Sequence, residues 1–302
     1  MCTAMTFRSR DHYFGRTLDY EVSFGESVVV TPRHFPLNFR KMPALDRHYA
    51  IIGMATVAEG YPLYYDAVNE KGLAMGGLLF AGCAEYHPFS PEKENIASFE
   101  LIPWLLGQCA DLREVKNLLG RCNLMEMDFS QRLPSTPLHW LIADREGAIT
   151  LESVGEGLKI YENPVGVLTN SPGFDYQQTR LADYGRLTPE EKPGYSRGLG
   201  AYGLPGDWSS SSRFVRAAFV RQHSRCEAGE AESVAHFFRM MQTVAVPKGC
   251  VRLDSGDAHT IYTCCCNQDR GIYYYSTYGD PRVHAVELGE RDEKDLTIFS
   301  IH

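Results

Sequence analysis

The order of the predicted strands and helices indicates an α+β fold. The sequence reads as a group of strands, a helix pair, more strands, a second helix pair and closing strands. The strand segments are short apolar or alternating runs between turn residues, whereas the helical segments repeat apolar residues every three or four positions. Helices on the outer faces of packed sheets would cover the apolar surface that sheets expose. A four-layer αββα sandwich fits this order, although the order alone also allows other α+β layouts.

The first third of the chain is predicted to be β structure. Gly, Pro, Asn and charged residues separate its apolar segments, and the short gaps favour antiparallel hairpins. The predicted strands are CTAMTF, YFGRTLDY, SVVVTPR, YAIIGMATV, YPLYYDAV and GLAMGGLLF.

Residues 97–122 change to a helical period, which predicts a helix pair with Ser98 near its N-cap. The residues that carry this period are Phe99, Ile102, Trp104, Leu105, Leu112, Val115 and Leu118. From residue 138 the strand pattern returns in LHWLIADRE, AITLESV, LKIYE and VGVLTN.

Residues 186–212 are rich in Gly, Pro and Ser and are predicted to form a long loop. A linker is the alternative, but the composition does not change across the segment, so we predict a single domain over residues 1–302. Helices are then predicted in SSRFVRAAFVRQHS and AESVAHFFRMMQTV, and strands in HTIYTCCCN, GIYYYSTY and VHAVEL.

Composition and charge restrict the function. A chain of 302 residues with 44% hydrophobic content can fill a substantial core. Its net charge of −8 and the lack of a long basic run argue against a nucleic-acid partner. The start of the chain lacks the apolar core of a signal peptide, and no apolar run is long enough for a membrane span. We expect a cytoplasmic protein without a membrane partner.

Nine cysteines are spaced too irregularly for a disulfide framework and are expected to be reduced. The run Cys264-Cys265-Cys266 resembles a metal site. Consecutive side chains of a strand point to alternating faces, however, and cannot converge on one ion. We interpret these cysteines as buried strand residues and expect no bound metal.

Cys2 is the first candidate catalytic residue. A small residue after Met1 favours removal of the initiator, which would leave Cys2 as the N-terminus. A cysteine there supplies a nucleophilic thiol together with an amine, of pKa about 7.7–8.0, that can transfer protons. The alternative is a chance cysteine in a frayed terminus. The apolar alternation that follows Cys2 argues for a terminus anchored in a sheet.

Arg16 and Asp19 lie on the predicted hairpin partner of the first strand. A guanidinium beside Cys2 would favour the thiolate, and a carboxylate would orient the terminal ammonium group. Residues three apart lie on opposite faces of a regular strand, so their joint use would need a bend or strand end. A surface salt bridge is the alternative.

Asn170 and Arg213 are further candidates. Asn170 ends a predicted strand before a turn and could stabilise an oxyanion, although a turn-forming asparagine would have the same surroundings. Arg213 opens a predicted helix and could position Cys2 or bind substrate; a solvated arginine at a helix end is the alternative. The sequence lacks a serine-hydrolase elbow, a phosphate loop and a zinc-binding His-Glu-x-x-His motif.

Taken together, these segments resemble the choloylglycine hydrolase family, which includes bile salt hydrolases and penicillin V acylases. The resemblance covers nearly the whole chain. It implies an αββα N-terminal-nucleophile hydrolase fold, a homotetramer and no cofactor. The segments that carry it are Met1-Cys2-Thr3, Gly15-Arg16-Thr17-Leu18-Asp19-Tyr20-Glu21, Asn69-Glu70-Lys71-Gly72-Leu73, residues 99–107, 166–170, 203–207 and 212–218, and Gly271-Ile272-Tyr273-Tyr274-Tyr275.

The resemblance implies that Cys2 is the nucleophile, with Arg16 and Asp19 as its charged neighbours. It makes Asn170 an oxyanion-hole donor and Arg213 a further active-site residue. A main-chain N–H near Leu79 would be the second oxyanion donor. Leu79 departs from the family pattern, because bile salt hydrolases usually have asparagine there and penicillin V acylases usually have tyrosine.

A conjugated bile salt is the substrate that the resemblance implies, supported by the segment Tyr195-Ser196-Arg197-Gly198. An apolar pocket would take the steroid, and a cationic residue would bind its anionic end. Tyr20, Phe24, Leu63 and Phe129 are candidates for the pocket, and Arg197 for the cation; core and surface roles are the alternatives. Penicillin V acylase activity and a non-catalytic binding protein for an amphipathic ligand remain as alternative functions.

Overall fold

A computed structural model describes residues 1–191, 193–194, 196–227 and 229–301. Its helices are α1 (Leu101–Gln108), α2 (Leu112–Leu119), α3 (Phe174–Ala182), α4 (Ser210–His223) and α5 (Glu230–Gln242). Its strands are β1 (Cys2–Arg8), β2 (His12–Tyr20), β3 (Ser27–Thr31), β4 (Ile51–Ala58), β5 (Tyr61–Asn69), β6 (Ala74–Leu79), β7 (Glu94–Ala97), β8 (Cys122–Met125), β9 (Leu138–Ala143), β10 (Ala148–Val154), β11 (Gly157–Glu162), β12 (Val167–Leu168), β13 (Val251–Leu253), β14 (Gly256–Asn267), β15 (Ile272–Thr277), β16 (His284–Glu287) and β17 (Thr297–Ser300).

Most of the strands form two antiparallel sheets. The first has the order β12-β1-β2-β14-β15-β16, with β13 paired to β14. The second has the order β11-β10-β9-β6-β5-β4-β3-β17. Strands β7 and β8 form a separate parallel pair. The predicted hairpin of the first two strands is present, and β1 lies between β2 and β12 rather than at an edge of its sheet.

Two hydrophobic clusters define the layers. One joins the first sheet to the inner face of the second sheet and also includes residues of α4 and α5. The other joins the outer face of the second sheet to α1 and α2. The order is therefore helices, sheet, sheet, helices, and the predicted αββα sandwich is confirmed. Among the described residues, no helix is long and apolar enough to cross a membrane.

The predicted strands of the first third correspond to β1 through β6, and the predicted helix pair corresponds to α1 and α2. The predicted cap at Ser98 is wrong. Ser98 lies inside a short 3₁₀ turn, and the Glu100 carboxylate accepts the Ala97 N–H instead, at 2.9 Å. The sequence analysis also missed α3, in which only Phe174 and Gln177 are buried, so its apolar period is weak.

Candidate active site

The N-terminus is fixed inside the first sheet. Cys2 pairs with Leu18 of β2 and is 4% exposed. The Asp19 N–H donates to the Met1 carbonyl at 2.9 Å, and the Met1 amine donates to the Asp19 carbonyl. The Cys2 N–H donates to Asn170 Oδ1 at 2.7 Å. The alternative of a frayed terminus is therefore wrong, and the backbone around the Cys2 thiol is held by two neighbouring chain segments.

Arg16 is a buried cation near Cys2, with 1% of its surface exposed. Its Nη1 donates to the carbonyls of Gly77, at 2.5 Å, and Tyr65, at 3.2 Å. Its Nη2 is buried and has no hydrogen-bond partner among the described residues. Burial opposes the charge, but neighbouring acidic groups, led by Cys2, raise the pKa of Arg16 above its usual value. The Nη2 group is thus free to donate to an added negative charge.

The two carbonyls that hold Arg16 are available because the strand pairing is interrupted there. The β4–β5 register shifts between Met54 and Ala55, which face Asp66 and Tyr64, so Tyr65 is left as a bulge residue. The β5–β6 pairing extends to Gly76 and not to Gly77. Bulges commonly redirect groups next to functional sites. Here the interruption gives Arg16 its acceptors.

Asp19 is fully buried, and its carboxylate accepts the hydroxyls of Thr260, at 2.6 Å, and Thr17, at 3.1 Å. The register of β2 with β14 shifts between Thr260 and Tyr262, beside Asp19. Residues 16 and 19 still point to opposite faces, since Arg16 reaches the second sheet while Asp19 attracts Arg213 on α4. Arg16 and Asp19 are therefore buried on opposite faces of β2, next to β1, and the alternative of a surface salt bridge is wrong.

Arg213 is fully buried and holds the backbone of the first strand. Its Nη1 donates to the Cys2 carbonyl and, at 2.7 Å, to the Thr3 hydroxyl. Its Nη2 donates to Asn170 Oδ1 at 2.8 Å, and its Nε donates to the Trp208 carbonyl at 3.0 Å. Burial lowers the pKa of Arg213, with the attraction of Asp19 and Cys2 acting against it. The alternative of a solvated helix-end arginine is wrong.

The hydrogen bonds of Asn170 fix the orientation of its amide group. Oδ1 accepts from Cys2 and Arg213, so the opposite atom is Nδ2, which donates to the Leu79 carbonyl at 2.8 Å. The Ser210 hydroxyl contacts the Asn170 main chain, where it accepts the N–H at 2.9 Å. These long-range contacts exclude the alternative of a purely local turn residue. One amide proton on Nδ2 is left for another acceptor.

Leu79 ends β6 opposite Leu138 of β9. The Leu138 N–H donates to the Tyr86 hydroxyl, and the next residue, Phe80, donates its N–H to Pro137. In an antiparallel ladder this pattern marks residues 79 and 138 as a non-hydrogen-bonded pair. The N–H and C=O of Leu79 therefore point away from β9, towards the side where Asn170 and Arg16 contact β6.

The candidate substrate residues occupy different places. The rings of Tyr20 and Phe24 are 4.9 Å apart, and Phe24 lies 6.5 Å from Tyr65, whose carbonyl holds Arg16. Leu63 is half-buried on β5. Phe129 packs edge-on against Phe99.

Arg197 is exposed, and no described contact links it or Phe129 to the residues around Cys2. Tyr195 lies outside the described residues.

The sequence analysis missed several groups that shape this site. The carbonyls of Tyr65 and Gly77 carry no sequence signal, because every residue has a carbonyl. Only the interrupted strand pairing makes these two carbonyls available to Arg16. The Thr260 hydroxyl comes from a strand far along the chain. Ser210 could have been found from the serine run that caps α4, where the Ser209 side chain accepts from the Ser212 N–H.

The cysteine run on β14 is buried, as predicted. The Cys264 thiol donates to the Asp66 carboxylate at 3.3 Å. Burial raises the pKa of all three thiols well above the usual value. In the part of the chain that the structure describes, no group of three or more His, Cys, Asp or Glu side chains is arranged to hold a metal ion.

Comparison with known proteins gives consistent similarities. Residues 2–299 match the model of linear amide C–N hydrolases, choloylglycine hydrolase family. The chain is 52% identical over 299 residues to a bile salt hydrolase/transferase of Lactiplantibacillus plantarum, covering 95% of this chain and 92% of the relative. It is 35% identical to a bile salt hydrolase/transferase of Clostridium perfringens, covering 97% and 94%.

Solved structures agree with the sequence comparison. A variant of conjugated bile acid hydrolase from Clostridium perfringens superposes with a TM-score of 0.93 at 32% identity, covering 100% of this chain and 97% of the other. Penicillin V acylase from Agrobacterium tumefaciens has a TM-score of 0.80 at 19% identity, covering 100% and 92%, and so shares the fold.

Proposed function

Because the chain belongs to the choloylglycine hydrolase family of linear amide C–N hydrolases, we propose that it cleaves the amide bond of glycine- or taurine-conjugated bile salts, with Cys2 as nucleophile. One observation carries the catalytic part of this proposal. Cys2 begins an interior strand, and its nitrogen is held by the half-buried Asn170 side chain and its carbonyl by the buried Arg213 side chain. Loss of Met1 would turn that nitrogen into an amine beside the thiol.

The first step is attack by sulfur. The Cys2 α-amino group accepts the thiol proton, and the thiolate forms a bond to the substrate carbonyl carbon. Arg16 favours the thiolate, because its buried charge is close to Cys2 and its Nη2 has no other partner among the described residues. Asp19 adds a buried negative charge on the opposite face of β2, suited to an ammonium group at the terminus.

The oxyanion that forms would accept the remaining Nδ2 proton of Asn170 and the N–H of Leu79. The Asn170–Leu79 hydrogen bond brings both groups to one edge of β6. Donors fixed before the reaction stabilise developing charge without reorganising. Arg213 does not touch the reacting atoms in this scheme; it positions Cys2 and Asn170.

Collapse of the tetrahedral intermediate breaks the C–N bond. The α-ammonium group gives its proton to the departing nitrogen, which releases glycine or taurine and leaves a bile-acyl thioester on Cys2. The amine then takes a proton from water, whose oxygen forms a bond to the thioester carbon. The C–S bond breaks, the bile acid leaves, and the ammonium group returns the proton to the Cys2 sulfur. An amino acid that attacks in place of water would give acyltransferase activity, in agreement with the name of the 52% identical relative.

Substrate recognition is proposed to involve an apolar surface of Tyr20, Phe24, Leu63 and Phe129, and Arg197 for the anionic end. The contact of Phe24 with Tyr65, next to the Arg16 acceptor, supports the first two. Penicillin V acylase activity is the alternative, because Leu79 matches the usual residue of neither branch. A binding protein without turnover would not need the buried charges that surround Cys2.

The decisive experiment combines intact mass with product release. We expect a mass that lacks Met1 and the release of glycine or taurine from glycocholate or taurocholate, detected with ninhydrin. Cys2→Ala should fold and show no turnover, and Cys2→Ser should be far slower, because a hydroxyl is scarcely ionised at neutral pH. Full activity in a preparation that retains Met1 would disprove the mechanism. Preference for penicillin V over every bile salt would establish the acylase alternative.

We further propose a homotetramer in the cytoplasm. The family resemblance supports the assembly, and the nine cysteines, all unpaired in the structure, support a reducing compartment. Light scattering on a size-exclusion column should give a mass four times the 34.0 kDa of the chain. The monomer mass at micromolar concentration would contradict the tetramer and leave the catalytic proposal untouched.

A further inference from the structure

A buried histidine lies between the two parts of the proposed oxyanion site. His139 of β9 has no exposed surface. Its Nε2 lies 2.8 Å from the Thr169 carbonyl, directly before Asn170, and its Nδ1 lies 3.1 Å from a carboxylate oxygen of Glu152. A carbonyl only accepts, so Nε2 carries a proton. The contact between Nδ1 and the Glu152 oxygen holds one further proton, which is bound to one of these two atoms.

Glu152 extends this contact to the other end of the Asn170 loop. It is 2% exposed, and the oxygen that faces His139 also accepts the N–H of Phe174, at 2.9 Å. Phe174 is the first residue of α3, where a carboxylate is favoured by the free N–H groups of the helix. His139 thus holds Thr169 and Glu152 holds Phe174, and Asn170 lies between these two residues in the sequence.

The same histidine also contacts the strand end that carries Leu79. The Phe80 ring stacks on the His139 ring, with centroids 4.3 Å apart and planes 8° apart. Phe80 is 1% exposed and follows Leu79 directly. His139 therefore contacts a neighbour of each proposed oxyanion donor, although it touches neither donor itself.

We propose that His139 and Glu152 are positioning residues that set the distance between the two oxyanion donors, the Asn170 amide and the Leu79 N–H. This inference rests on the proposed function. Catalytic hydrogen bonds are sensitive to small displacements, so a pair that fixes both donors controls turnover more than substrate binding. The imidazole is too deeply buried to act on the substrate, which separates this role from that of an acid or base.

Alanine variants test the role of the pair. In His139→Ala and Glu152→Ala we expect kcat on glycocholate to fall about 10- to 100-fold, with KM changed less than about threefold. Alkylation of Cys2 by iodoacetamide needs no oxyanion site, so its rate should fall by less than about threefold. Glu152→Gln should keep at least about threefold more kcat than Glu152→Ala, since its amide oxygen can still accept from Phe174, whereas the alanine variant loses both contacts.

His48 provides the matched control. It is another buried histidine, with its ring nitrogens 2.7 Å and 2.8 Å from the carbonyls of Tyr49 and Phe35. His48→Ala should lower Tm and leave kcat unchanged. The proposal is overturned if the alanine variants of the pair lose no more kcat than His48→Ala, or if Glu152→Gln loses as much as Glu152→Ala.

If the alanine variants do not fold, His139→Gln and His139→Asn test the positioning role of His139. The amide nitrogen of His139→Gln can replace Nε2 and reach Thr169, whereas that of His139→Asn replaces Nδ1 and reaches only Glu152. The glutamine variant should keep about tenfold more kcat, and equal values would overturn the proposal. Asn170→Ala separates the two hypotheses: if it keeps full activity, the proposed oxyanion donor itself is wrong.

Discussion

Two buried arginines approach the first strand, and their hydrogen bonds assign them different roles. Arg213 uses Nε, Nη1 and Nη2 to hold Trp208, Cys2 and Asn170. Arg16 leaves Nη2 without a partner among the described residues. A guanidinium whose nitrogens all donate to protein acceptors holds those acceptors in place. A buried donor without an acceptor raises the free energy of the fold unless a negative group binds it. We therefore assign the electrostatic effect on the Cys2 thiol to Arg16.

We predict that Arg16→Gln shifts the alkylation of Cys2 by iodoacetamide to higher pH, because the thiolate loses a nearby cation. Turnover should fall more than substrate affinity. Arg221→Gln is the control, since Arg221 also holds β1, through the Thr6 carbonyl at 2.7 Å, but four residues from Cys2. The same alkylation profile for wild type and Arg16→Gln would remove Arg16 from this role.

Asn170 and Leu79 are predicted to act through different atoms. Asn170→Ala removes a side-chain donor and should lower kcat about 100- to 1,000-fold. Asn163→Ala is the control, because Asn163 is another asparagine, more deeply buried than Asn170, whose amide bonds Thr150 and the Val167 carbonyl away from Cys2.

Leu79→Asn keeps the main-chain N–H and should alter mainly the ratio of specificities for glycocholate, taurocholate and penicillin V. If it raises turnover about 100-fold on all three substrates, the proposed main-chain donor is wrong.

The site residues that could be predicted from the sequence are those that a short segment identifies on its own. Cys2, Arg16 and Asp19 occupy one hairpin, and Asn170 and Arg213 were candidates from their places at a strand end and a helix start, in agreement with the resemblance. His139 was not predictable, because its partners, Glu152 on β10 and Thr169 directly after β12, lie in other segments and it belongs to no short motif. The carbonyl of Tyr65 depends on a bulge, which is a property of strand pairing and not of residue type.

At the scale of secondary-structure elements, β2 leaves no room for a side chain at Gly15, where it passes β14. A Cβ added to Gly15 would lie 2.1 Å from the Cys264 carbonyl oxygen and 2.8 Å from the Phe237 ring. Backbone on one side and a packed ring on the other leave no room for a methyl group. Glycine is therefore required at position 15 for the strand to bring Arg16 to its place.

We predict that Gly15→Ala lowers the free energy of unfolding by about 2–3 kcal/mol, because β2 and β14 must separate. Chemical denaturation measures this change. Gly147→Ala is the control, since nothing lies within 4 Å of an added Cβ there, and it should change stability by less than about 0.5 kcal/mol. Equal stabilities of the two variants would show that the strands accommodate the methyl group.

Elements with strong apolar patterns were predictable, and weakly patterned ones were not. The strands β1 through β6 alternate or are fully apolar, with turn residues between them. Helix α3 buries only Phe174 and Gln177, and β17 alternates between half-buried and exposed residues. Tertiary contacts, which the local sequence does not contain, stabilise such elements.

At the scale of the whole molecule, the site is assembled from both sheets and from one outer helix. The first sheet supplies Cys2 and Arg16, the second sheet supplies Leu79, and α4 supplies Arg213. The cluster that joins the two sheets includes Cys2 itself. The order of the elements fits the order of the layers but also fits other α+β layouts, so the family resemblance carried much of that prediction. The register that aligns β1 with β6 depends on packing across the sheets.

The hydrogen bonds of Met1 also affect when an aminopeptidase can reach the Met1–Cys2 peptide bond. In the folded chain the Met1–Cys2 peptide bond is enclosed, because Met1 is tied to both main-chain groups of Asp19 and Cys2 is 4% exposed. An aminopeptidase needs a loose end, so we expect the removal of Met1 that the proposed mechanism requires to occur on the nascent chain, before β1 enters its sheet. Folded protein that retains Met1 should resist methionine aminopeptidase for hours. The same protein, unfolded in urea and diluted into the enzyme, should lose Met1 as it refolds. Equal rates of Met1 loss, measured by mass spectrometry, would show that the terminus of the folded protein opens on its own.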